Sequence, residues 1–67
     1  MNPKELEKEL RIKYSTHRKT LSDPFELLDL VIDISTLSGA EKEKAVELAE
    51  EIYFHYDAER NEYLEDR

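Results

Sequence analysis

Two prolines and one glycine are all that interrupt this chain, and each stands where a helix would begin. Asn2 precedes Pro3, and Glu5 follows three positions after the Asn. Asp23 precedes Pro24, and Glu26 stands three positions after the Asp. Ser38-Gly39-Ala40-Glu41 is a Ser-x-x-Glu capping box. In each case a short polar side chain can accept from an orphan N–H of the first turn. A proline at the first helical position gives up no hydrogen bond. Asp23-Pro24 also closes what comes before it, because a residue preceding proline avoids the helical region. This punctuation predicts one all-α domain of three helices, spanning approximately 3–19, 24–37 and 39–66, with no linker and no repeat.

Apolar periodicity assigns the faces. In the first helix Leu6, Leu10, Tyr14, His17 and Leu21 form one narrow stripe at helical spacing. Glu7–Arg11 and Glu9–Lys13 are expected as i,i+4 ion pairs on its flanks. In the second, Phe25, Leu27, Leu28, Leu30, Val31, Ile32, Ile34 and Leu37 leave only the strip Glu26, Asp29, Asp33, Thr36 polar. A helix apolar nearly all round is a buried helix, so the central helix is expected to lie between the other two. The run Leu30–Ile34 is partly β-branched, but a lone strand has no partner here. The third helix places Ala45, Leu48, Ala49, Ile52, Tyr56 and Tyr63 on its core side. Leu64–Arg67 is expected to fray, because acids at a helix C-terminus oppose its dipole.

Size and charge limit the function classes. The chain has 67 residues and no Cys, so disulfides, thiol catalysis and Cys-based metal sites are excluded. No apolar run approaches the ~20 residues that span a bilayer, and the first residues lack a signal-peptide core, so a cytoplasmic protein without membrane contact is expected. Net charge is -7, which argues against direct binding to a nucleic-acid backbone. Residues 1–20 are net +3, 21–37 net -4 and 38–67 net -6. A domain this small gains only ~3–5 kcal/mol from one core. The surplus apolar face of helix two, Leu27, Leu30, Ile34 and Leu37, is therefore expected to meet a second copy in a helical-bundle homodimer.

No catalytic constellation survives inspection. A single glycine permits no phosphate loop and no nucleophile elbow. The Arg11-x5-His17 spacing is similar to the arginine–histidine motif of HEPN ribonucleases. Ile12 follows the arginine, however, and the chain is too short for that four-helix domain, so His17 reads as a packed stripe residue. Glu51, His55 and Glu59 share a helix face at i, i+4, i+8, but structural metal sites normally need four ligands, and they read as a solvated flank. No cofactor or metal site is expected. Phe54 is the outlying residue: it lies opposite the core stripe among Glu47, Glu50, Glu51 and Asp57. An aromatic ringed by acids predicts a contact surface for a protein partner. The expected function is a small acidic, non-enzymatic interaction module, a regulator or inhibitor of a larger protein. The alternative is an acidic nucleic-acid mimic that occupies a DNA- or RNA-binding protein.

Overall fold

The computed structural model describes residues 2–64. It contains α1 (Pro3–His17), α2 (Pro24–Asp29), a 3-10 turn (Ile34–Thr36), α3 (Gly39–His55) and a two-stranded antiparallel ribbon, β1 (Tyr56–Asp57) with β2 (Glu62–Tyr63). All three helix starts are built as their caps require. Asn2 Oδ1 accepts from the Glu5 N–H at 2.9 Å, and Asp23 Oδ1 accepts from the Glu26 N–H at 2.9 Å. Glu26 reaches back one residue further, accepting the Ser22 N–H at 2.8 Å. Ser38 and Glu41 close their capping box.

α3 is the scaffold, packed against both α1 and α2, whereas α1 and α2 touch each other less. The expected central role of helix two thus passes to helix three. The core consists of Leu6 and Leu10 from α1, Leu27 and Leu28 from α2, Ala45, Ala49 and Ile52 from α3, and Tyr56. Two alanines one turn apart on α3 make room for the leucines of both neighbours. Leu10, Leu27, Leu28 and Ile52 are fully buried, each contributing about 2 kcal/mol of apolar burial. Among the described residues no polar or charged side chain is buried. Specificity therefore comes from shape and from the caps.

Two helix ends differ from expectation. α2 stops at Asp29, not Leu37. Its end narrows into i→i+3 bonds, with the Leu30 and Val31 N–H groups donating to Leu27 and Leu28 carbonyls at 3.2 and 3.0 Å. Asp33 then starts a new turn. Its Oδ1 accepts the Ser35 hydroxyl at 2.8 Å and the Ser35 N–H at 3.0 Å, and these two bonds hold its carboxyl below the usual range. Asp33 is thus a cap, not part of a polar helix strip. The second helix is not buried on all sides either: Phe25, Glu26, Asp29 and Leu30 are exposed.

α3 stops at His55, not Asp66. Tyr56 is extended, and the chain doubles back with Tyr56 opposite Tyr63 and Asp57 opposite Glu62. Asp57 Oδ1 accepts the Glu59 and Arg60 N–H groups at 3.0 and 3.2 Å, organising the turn. Asn61 closes it in the left-handed region at φ 56°, where Asn is better tolerated than most residues. The expected fraying concerns a segment that, beyond Leu64, lies outside the described residues. Among the described residues no helix is long and apolar enough to cross a membrane.

Candidate protein-interaction surface

The return of the hairpin reshapes the Phe54 face. Glu47, Glu50, Glu51, Phe54 and His55 on α3, with Tyr63 and Leu64 from the returning strand, line an open depression of about 540 Å³. Phe54 is 59% exposed and Leu64 46% exposed, so the depression has an apolar floor accessible to solvent. The three glutamates are exposed and form its rim. Phe54 is held edge-to-face by Tyr53, with ring centroids 5.0 Å apart. Tyr53 in turn donates its hydroxyl to the Leu21 carbonyl at 3.4 Å. The aromatic is therefore exposed on a side chain whose supporting neighbour is anchored to another part of the fold.

Asp57 departs from the expected set. It is half-buried in β1 and spends its carboxylate on the hairpin turn, so it does not join the glutamates. Tyr63, Leu64 and His55 were not expected at this surface. Helical extrapolation past His55 would carry Tyr63 along the helix axis, and only the reversal brings it alongside α3.

The hairpin is tethered across the molecule. Tyr63 donates its hydroxyl to Glu7 Oε2 at 2.5 Å. Burial pushes the Tyr63 phenol well above its ordinary range, and the hydrogen bond to Glu7 and the Glu7 charge push it further. Glu7 is thereby diverted from Arg11. The expected Glu7–Arg11 and Glu9–Lys13 pairs are not formed; among the described residues the ion pairs are Arg18–Glu59 at 3.6 Å and Arg60–Glu62 at 3.7 Å. Glu59 lies in the hairpin turn, so the Glu51–His55–Glu59 row is broken. Among the described residues no group of three acidic or imidazole side chains is placed to hold a metal ion.

The residues expected to self-associate separate into three environments. Leu27 is fully buried in the protomer's own core and cannot meet a second copy, which corrects its assignment. Leu30 is 42% exposed. Ile34 and Leu37 are half-buried against the core. Leu37 also lines a groove of about 360 Å³ with Pro3, Leu6, Ile32 and Ala40, where the N-terminal ends of α1 and α3 meet the segment after α2.

Compared with family models, with curated proteins and with solved structures, the chain matches none.

Proposed function

We propose that this protein is a small non-enzymatic interaction module that docks a larger protein target and acts as its regulator or inhibitor. The reading rests on one observation: Phe54 stands 59% exposed in a depression floored by Leu64 and rimmed by Glu47, Glu50 and Glu51. Interface centres favour aromatic anchors with charge confined to the rim. The complementary partner offers an apolar slot bordered by Lys and Arg, which the glutamates would steer and orient. A cytoplasmic setting belongs to the same reading.

The test is affinity capture from native lysate with wild-type and Phe54→Ala baits, quantified side by side. The expected result is a target retained by the wild type and lost from a variant that still melts cooperatively. Equal capture by both baits removes Phe54 from the site. A second reading, nucleic-acid mimicry, is favoured by the acidic row Glu43, Glu47, Glu50 and Glu51 along α3. It requires a complex that weakens steeply with salt, whereas docking led by Phe54 persists. Self-association is the remaining reading of the apolar surface, now limited to Leu30, Ile34 and Leu37. Light scattering over a dilution series distinguishes it, a constant monomer mass refuting the homodimer.

A further inference from the structure

The side of the hairpin turned toward α1 carries chemistry opposite to that of the Phe54 face. Lys8, Arg11, Ile12, Ser15, Tyr56 and Asn61 line an open pocket of about 200 Å³. All of its polar side chains can donate hydrogen bonds, and none is a carboxylate. This occurs in a chain with 17 Asp and Glu against 10 Lys and Arg. One acid of α1 is engaged elsewhere. Glu7, one turn before Arg11, is the natural i,i+4 partner of the guanidinium, but its carboxylate accepts the Tyr63 hydroxyl. Lys8 and Arg11 take part in neither of the ion pairs formed among the described residues. Arg11 is also half-buried, which limits how far it can swing into solvent. The Tyr56 hydroxyl donates to Asn61 Oδ1, so the amide Nδ2 is the end of Asn61 left to donate.

We propose that this pocket binds an oxyanion of the phosphoryl class. Arg11 and Lys8 supply the positive charge, and Ser15 and Asn61 supply neutral donors. A guanidinium fork matches two phosphoryl oxygens, and charge-assisted bonds of this kind are about twice as strong as neutral ones. Ile12 and Tyr56 give the pocket an apolar edge against which an organic carrier of the phosphoryl group can lie. The overall negative charge of the protein opposes anion approach at long range, so binding depends on these local donors and is sensitive to losing any one of them. None of the pocket's own lining residues belongs to the Phe54 depression; the two share only Tyr63, which lines that depression and holds Glu7.

The experiment titrates inorganic phosphate into the ¹⁵N-labelled full chain at constant ionic strength, with chloride as the matched control. The expected result is saturable shifts at Ser15, the Asn61 side-chain amide and Arg11 Nε that chloride does not reproduce. Arg11→Gln weakens binding about tenfold or more, the loss of a charge-assisted fork, whereas Lys42→Gln, an equal charge change away from the pocket, leaves it unaltered. Lys8→Gln carries the same test if Arg11→Gln loses spectral dispersion. Shifts that are linear in phosphate and matched by chloride overturn the proposal. Equal effects of Arg11→Gln and Lys42→Gln also overturn it, because both would report general screening. A parallel titration with phenyl phosphate separates the sources: tighter binding than inorganic phosphate assigns the pocket to a phosphoryl group on an organic carrier, and weaker saturable binding assigns it to the free ion.

Discussion

Ile52 and Phe54 stand two residues apart on α3 and face opposite ways, which makes their alanine variants a test of how the helix is seated. Ile52 is fully buried. Truncating such a side chain removes its transfer energy and leaves a cavity, at a cost of about 2–5 kcal/mol. A chain this small holds only ~3–5 kcal/mol from its core, so Ile52→Ala should bring it close to unfolding. At about 4–8 °C per kcal/mol for a domain of this size, the melting midpoint should fall by about 15 °C. Phe54 is 59% exposed. With about 200 Å² for an aromatic side chain, roughly 80 Å² is covered, worth at most about 2 kcal/mol at 25 cal/mol/Å². Alanine's better helix propensity returns about 0.5 kcal/mol, leaving a loss of at most about 1.5 kcal/mol. Urea denaturation followed by circular dichroism measures both, with an unchanged m-value confirming that the transition itself is the same. A Phe54→Ala loss equal to that of Ile52→Ala would mean that α3 is rotated about its axis. The depression around Phe54 would then not exist.

Two further predictions concern the hairpin. The Tyr63 phenol is raised in the folded protein, so its contribution to stability is complete below the unfolded value near pH 10 and is lost as pH rises beyond it. Urea midpoints measured from pH 8 to 11 should fall more steeply above pH 10 in the wild type than in Tyr63→Phe, and parallel curves would refute the tether to Glu7. Asn61 holds a left-handed conformation, so Asn61→Val should cost about 1–2 kcal/mol more than Asn61→Gly, which has no Cβ to strain. Thermal melts of the two variants check this, and equal midpoints would deny the left-handed turn.

The beginnings of the helices were legible because a cap is a local device: Asn2, Asp23 and Ser38 need only the next three residues to do their work. The ends were not, because nothing local announces them. No glycine or proline stands near residues 30–33 or 56–61. After α2 ends at Asp29, Asp33 caps a separate turn by capturing Ser35; this Asp-x-Ser turn signal lies inside an apolar run of helical spacing, and that periodicity placed Asp33 on a helix strip instead. What ends α3 is tertiary. Ala58, Glu59 and Arg60 are good helix formers, and a hairpin there depends on Tyr56 facing Tyr63 and on Tyr63 reaching Glu7, 56 positions away in sequence. The exposure of Phe54 followed from helical periodicity. Its companions Tyr63 and Leu64 required the reversal. Leu27 was misassigned because an eight-residue apolar set on one long helix left no way to decide which members the protomer would keep for itself.

All four tyrosines belong to one chain of ring contacts. Tyr14 meets both Tyr53 and Tyr56 edge-on at 6.1 and 6.2 Å, Tyr56 meets Tyr63 at 5.2 Å, and Tyr53 meets Phe54. The chain has no Trp, so its near-ultraviolet signal arises almost wholly from the junction of α1, the C-terminal part of α3 and the hairpin. α2 carries only Phe25, whose near-ultraviolet absorption is weak, and the turn after it has no aromatic residue. Far-ultraviolet dichroism, by contrast, weighs all the helices together. The molecule thus carries a built-in local reporter: if the hairpin detaches before the helices melt, tyrosine emission changes first and the two transitions separate.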